Sequence, residues 1–175
     1  MERETFIPFS KEGPDAIEYL QGILRDVRAT TLDRLADLSQ EELDWQYADG
    51  WNSIGALLSH FIANDHYFRI LFVIGRRLTD PELDRWNPSQ EMGAHLPKLL
   101  GTLLAELLTK MEESRSELMD SLEDVTPEYF TAHREGYNPD TGFNLAWALY
   151  HLAEDEVHHR GQISMLRKLY AELRT

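Results

Sequence analysis

Near its C-terminal end the chain repeats one spacing: Leu145, Leu149, Leu152, Glu156, His159, Ile163, Leu166 and Tyr170 stand alternately four and three residues apart. That is the seam of a helix packed in a bundle, and it predicts one long helix from about Phe143 to Leu173. Two of the eight seam positions are polar. Burying an unpaired ionised group costs several kcal/mol, comparable with a large part of a domain's stability. Glu156 and His159 must therefore be compensated in the core or stand beside a cavity.

Three more segments share the helical period. The first starts near Pro14 and carries Ile17, Leu20, Ile23, Leu24, Val27, Thr31, Leu35 and Leu38 on one side. Ser39 with Glu42 then reads as the capping box of a short helical turn. A second long helix runs from Ser53, its N-cap, to Ile74, where Gly75 closes it. The third spans about Leu96 to Leu122. Between the second and third lies 78-LTDPELDRWNPSQEMGAHLP-97, whose three prolines and glycine mark a long crossover connection. No stretch alternates with period two as a strand would. The expectation is an all-α, up-down four-helix bundle with a long crossover loop, a single domain over residues 1–175.

A chain of 175 residues can bury a core without a metal or disulfides to hold it, so a metal here would be functional. It contains no cysteine, which removes zinc-thiolate sites and cysteine nucleophiles. With 17 basic and 31 acidic residues the net charge is −14, a field that repels nucleic acid and anionic lipid. No signal-peptide pattern or membrane-length apolar run is visible, so the expected location is the cytoplasm. Glycine-rich phosphate loops and the GxSxG elbow are also missing.

The polar residues of the last helix stand in 151-HLAEDEVHHRGQ-162. Asp155 and His159 are four apart, about 5–6 Å at Cβ on one helix face, a separation suited to gripping one ion. The second helix offers a third ligand, because Ser53, Leu57, His60, Asn64 and Leu71 form a stripe that turns His60 toward a neighbour. Three N/O ligands with an open position are the pattern of catalytic zinc, and two histidines with a carboxylate also suit nickel or iron(II). An isolated core histidine is more often hydrogen-bonded than metallated, and an Asp/His pair four apart is commonly a surface ion pair. It is their combination across two helices, in an interrupted apolar seam, that points to a metal. The di-iron ExxH motif occurs as 156-EVHH-159 without a second copy, which favours a mononuclear site. Of the remaining polar residues, His151 is expected to orient a ligand and His158 to lie at the rim. His66, His95 and His133 are expected at the surface or at caps, and Asp65 either hydrogen-bonds a ligand or is solvated.

The pair 51-WNSIGALLSHFIANDHYF-68 and 151-HLAEDEVHHRGQISMLRKL-169 resembles the DinB/YfiT-like superfamily of four-helix metal-binding proteins. It also resembles the related branch of mycothiol-dependent maleylpyruvate isomerases and bacillithiol transferases. The resemblance extends over nearly the whole chain. It implies one histidine from the second helix and an HxxxH or ExxxH pair from the fourth as ligands, matching His60, Asp155 and His159. Asp155 departs from the family's His or Glu. The implied activity is a metal-dependent thiol S-transferase or isomerase acting on a low-molecular-weight thiol and an electrophile, with Glu156 or water as proton acceptor. The contrasting expectation is a non-enzymatic bundle, a stress-response or binding dimer whose polar seam sets helix register. Trp45, Tyr47, Trp51, Tyr67, Phe68, Leu71 and Phe72 supply more aromatic surface than one core absorbs, which predicts a homodimer.

Overall fold

In the computed structural model, which describes residues 16–90, 101–135 and 142–174, helices begin where the caps predict. The Ser53 hydroxyl accepts from the Ala56 N–H at 3.1 Å and starts α3 (Ile54–Phe68), after α1 (Ala16–Asp33) and α2 (Gln40–Asp44). Ser39 caps α2 in the same way, accepting from the Glu42 N–H at 3.1 Å. The Glu42 carboxylate does not complete a capping box there but binds Arg167 at 2.8 Å. Arg167 also donates to the Arg34 and Ala36 carbonyls just past the end of α1. Helix α3 continues as a π-helical turn, Arg69–Ile74, and stops at Gly75, whose φ of 77° suits a residue without Cβ.

The crossover, expected from its prolines and glycine to be a loop, contains a helix, α4 (Asp80–Gln90). Its start is built by Thr79 and Glu82, the Glu82 carboxylate accepting from the Thr79 N–H at 2.8 Å. Pro81 stands in the first turn, where a missing N–H costs no helical bond. The third long helix, α5 (Leu104–Asp120), begins later than expected, because Gly101–Leu103 are not helical. Pro14, His95 and Leu96 lie outside the described residues. Then come α6 (Pro127–Thr131), a two-residue antiparallel ladder of β1 (Arg134–Glu135) with β2 (Gly142–Phe143), and α7 (Leu145–Glu172), capped by Asn144.

Two apolar clusters give the helix directions. One joins Ile17, Leu24, Val27, Val73, Leu118, Leu122, Leu145, Leu149 and Leu152; the other joins Leu35, Leu43, Leu57, Phe61, Leu107, Met111, Ile163 and Leu166. Helices α1 and α7 therefore run from the first cluster to the second, and α3 and α5 from the second to the first. The fold is an all-α four-helix bundle of up, down, down, up order. Parallel α3 and α5 need a connection that travels the bundle's length, and α4 lies within it. Seven of the eight seam residues of α7 are buried, Tyr170 being half-buried.

Between the clusters lies a layer of four charges, one from each long helix: Arg28 (α1), Asp65 (α3), Arg115 (α5) and Glu156 (α7), none more than 6% exposed. Arg28 donates to both Glu156 oxygens at 2.9 and 3.1 Å and to Asp65 Oδ2 at 3.1 Å. Arg115 donates to Asp65 Oδ1 at 3.0 Å and Glu156 Oε2 at 2.8 Å. The remaining guanidinium edges reach the Met111 and Leu24 carbonyls, and the Ser114 hydroxyl adds a bond to Asp65. Burial alone would push the Glu156 carboxyl up, but Arg28 and Arg115 hold it down at about 2. Burial also opposes the charge of Arg28, which Asp65 and Glu156 nevertheless keep above the ordinary arginine value.

The aromatic residues expected at an interface divide. Phe68 and Phe72 pack against the first core cluster and Trp45 against the second, whereas Tyr47 and Trp51 are each 44% exposed. No helix among the described residues is long and apolar enough to cross a membrane.

Because Glu156 is held ionised in the fold, it adds stability above its unfolded pKa near 4.5, and that stability is lost as pH falls toward about 2. Glu156→Gln leaves a buried positive charge uncompensated and should cost about 3–5 kcal/mol at neutral pH in urea unfolding. The gap between wild type and variant should close below about pH 4.5. A small, pH-independent gap would contradict the charge layer.

Candidate metal centre

One residue before each acid of the layer, α3 and α7 turn a second polar side chain toward each other: Asn64 before Asp65, and Asp155 before Glu156. Successive helical residues are about 100° apart, so one of each pair enters the layer while the other faces an adjoining space. There Asp155 meets the histidines one turn away on each helix, His60 and His159. Each of the three offers a ligand atom within 4.8 Å of the others. His60 Nε2 is 3.3 Å from Asp155 Oδ2, and His159 Nε2 is 3.4 Å from Asp155 Oδ1. The histidine rings stand edge to face with centroids 5.0 Å apart. Both histidines are 5% exposed and Asp155 is half-buried.

The opposite side of each imidazole is fixed. His60 Nδ1 lies 2.7 Å from the Ser89 carbonyl of α4, an acceptor only, so Nδ1 carries the proton and neutral Nε2 keeps its lone pair. His159 Nδ1 donates to Gln162 Oε1 at 2.9 Å, and the Gln162 amide reaches His158 Nε2 at 3.0 Å. Each Nε2 thus faces Asp155 with its outer nitrogen already hydrogen-bonded, the arrangement that orients metal-ligating histidines. Tetrahedral bonds of about 2.0–2.1 Å place neighbouring donors about 3.3–3.4 Å apart, the size of both nitrogen–carboxylate separations. The donor set therefore fits a divalent ion.

Electrostatics bind the three together. Burial raises the Asp155 carboxyl, but its contacts with the His159 and His60 imidazoles hold it well below the ordinary range. Burial lowers His159, but its bonds to Asp155 and Gln162 and the carboxylate's charge outweigh that and leave it raised.

The structure does not bring every expected residue here. Glu156 lies in the charge layer with both oxygens on guanidinium groups, and Asp65 lies there too, fully buried, rather than touching a ligand or solvent. His151 is stacked on Trp147 with centroids 4.9 Å apart and contacts Glu154, not a ligand of the trio. His158 is exposed at the rim through Gln162. His66 stacks on Trp86 at 4.1 Å, and His133 is exposed. Two orienting groups escaped the sequence reading. Gln162, three residues after His159, was detectable by helical spacing, but the Ser89 carbonyl is a backbone group that no residue type announces. Arg160, in the same HHRGQ run, donates to Thr30 of α1. Nothing lies within 4 Å of a Cβ built on Gly161, so close packing does not account for that glycine.

The model of the DinB superfamily matches residues 23–163, a span that contains both the charge layer and the three candidate ligands. The chain belongs to the DinB superfamily. A search of curated proteins finds no match. Within the matched span, His60, Asp155 and His159 lie close enough together to form a possible metal-binding group.

The raised His159 pKa has a direct check in metal-free protein. His159 should titrate above about 6.5 by imidazole NMR, and Asp155→Asn should lower it, since burial then acts with less opposition. An unmoved His159 pKa in that variant would show that the carboxylate does not act on it.

Proposed function

We propose that the protein is a metal-dependent enzyme in which His60, Asp155 and His159 hold one divalent ion, zinc or nickel ahead of iron, and a low-molecular-weight thiol is joined to an electrophile or used to isomerise one. The observation that carries this reading is the convergence of two Nε2 atoms, each with its Nδ1 already bonded, on one carboxylate. A divalent ion bound there stabilises a thiolate at neutral pH and leaves the sulfur a nucleophile. His60 and His159 supply neutral nitrogen donors whose direction Ser89 and Gln162 fix, and Asp155 supplies negative charge. The thiol must come from outside, because the chain has no cysteine.

In the transferase form, the sulfur bonds to the electrophilic carbon, the leaving group departs with its electron pair, and the thiol proton passes to water. Glu156 does not take that proton in this proposal: two arginines occupy its oxygens and hold its pKa at about 2. A cavity of about 380 Å³ lined by Gly50, Trp51, Asn52, Gln162, Met165 and Leu166 adjoins the site through Gln162. Its apolar wall suits the electrophile's carbon skeleton. The protein is proposed to work in the cytoplasm as a homodimer, with exposed Tyr47 and Trp51 as candidate interface residues.

A register-setting role explains Glu156, whose two guanidinium partners lie in the charge layer, but not the trio. Three metal-type donors with oriented lone pairs are unnecessary for register. Protein purified without a histidine tag should carry close to one equivalent of metal, largely lost in His60→Ala. Addition of a small thiol to the cobalt(II)-substituted protein should produce a sulfur-to-metal charge-transfer band. Stoichiometric metal without that band would leave a metal-binding protein and remove the thiol chemistry.

Protons compete at both histidines, so log affinity should fall by up to about two units per pH unit well below their apo pKa values. Competition at His159 should begin at higher pH than for an ordinary histidine, because its pKa is raised. Asp155→Asn should bind more weakly at neutral pH and show the onset of proton competition at lower pH. Affinity independent of pH from 5 to 8 would exclude the two histidines as ligands.

A further inference from the structure

Asn64 is 4% exposed and one helical turn from His60, with its amide among the three candidate ligands. Its Nδ2 is 2.9 Å from His60 Nε2 and 2.8 Å from Asp155 Oδ2. Both contacts are acceptors: the Ser89 carbonyl fixes the His60 proton on Nδ1, and Asp155 is ionised. The NH₂ group therefore offers its two hydrogens to two of the atoms that would otherwise bind a cation. In that arrangement it stands where positive charge is wanted.

The same contacts conflict with metal binding at His60, since one lone pair cannot serve both an N–H and an ion. A carboxamide resolves the conflict without moving its helix. A half-turn about Cβ–Cγ exchanges nitrogen and oxygen at nearly unchanged shape and converts the group from donor to acceptor. The exchanged oxygen then lies beside His60 Nε2 and Asp155 Oδ2, an arrangement of lone pairs that only a cation satisfies.

We infer that Asn64 is a two-state element of this centre: its amide N–H groups replace the cation in the metal-free protein, and its Oδ1 becomes a fourth protein donor when a divalent ion enters. The inference rests on the metal-binding reading above. It makes the donor set two nitrogens and two oxygens, and gives the metal-free site its own stable hydrogen-bonded form instead of a cluster of unpaired acceptors.

The test titrates zinc chloride into tag-free protein against a chromophoric chelator, with thermal unfolding followed with and without zinc. Asn64→Ala should bind zinc about ten-fold or more weakly. Its metal-free form should melt below the wild type, because a buried imidazole nitrogen and a half-buried carboxylate lose their donor. Asn64→Asp keeps an oxygen and loses the N–H groups, so it should bind zinc at least as tightly as wild type, yet be the less stable of the two without metal. Unchanged or tighter binding by Asn64→Ala would show that the amide only competes with the ion and would overturn the assignment. Weaker binding by Asn64→Asp would overturn it as well, and that variant decides the matter if Asn64→Ala does not fold. Failure of the wild type itself to bind zinc would instead remove the metal-binding reading.

Discussion

Four ionised side chains, two arginines and two carboxylates, cross the middle of this bundle with almost no exposure to water. Each comes from a different long helix, and each guanidinium contacts both acids. Such a group need not stabilise a fold relative to a well-packed apolar core, but it penalises every arrangement that leaves one member without a partner. A one-turn slip of any helix would strand a buried charge. The layer thus sets the relative heights of α1, α3, α5 and α7 more sharply than two apolar clusters could.

The candidate metal centre depends on that register. Asp155 and Glu156 are neighbours on α7, as Asn64 and Asp65 are on α3, and in each pair the second residue is tied into the layer. The first is then turned by about 100° into the adjoining space at a height that the layer has already set. His60 and His159, one helical turn from Asn64 and Asp155, reach the same space. Their Nδ1 atoms are held by the Ser89 carbonyl and the Gln162 amide. The crossover helix α4 therefore takes part in the site by supplying an acceptor, as well as making the parallel placement of α3 and α5 possible.

Much of this was legible in residue order. The four-and-three spacing along α7, the caps at Ser39 and Ser53, and the stop at Gly75 follow from local rules, and the four long helices follow from periodicity. The trio was legible because helical spacing places Asp155 beside His159 and because His60 interrupts an apolar stripe. What escaped has physical reasons. Arg28 and Arg115 sit on amphipathic helices where a long cation ordinarily reaches solvent, and only tertiary packing shows that each meets two acids. Glu156 looked available for catalysis because its partners lie 128 and 41 residues away. The prolines of 78–97 concealed α4, although Thr79 with Glu82 carries a start signal. Helix α5 is shorter than the periodicity predicts because Gly101, with φ of 79°, and the two residues after it are not helical.

The charge layer keeps Glu156 on two arginines and leaves His60, Asp155 and His159 facing one another as a candidate cation site. Diffraction from zinc-grown crystals, measured on both sides of the metal's absorption edge, tests it most directly. An anomalous peak within bonding distance of His60 Nε2, His159 Nε2 and an Asp155 oxygen is predicted, with Glu156 still on Arg28 and Arg115. No peak between the two histidines, or a peak bonded to Glu156, would contradict the account.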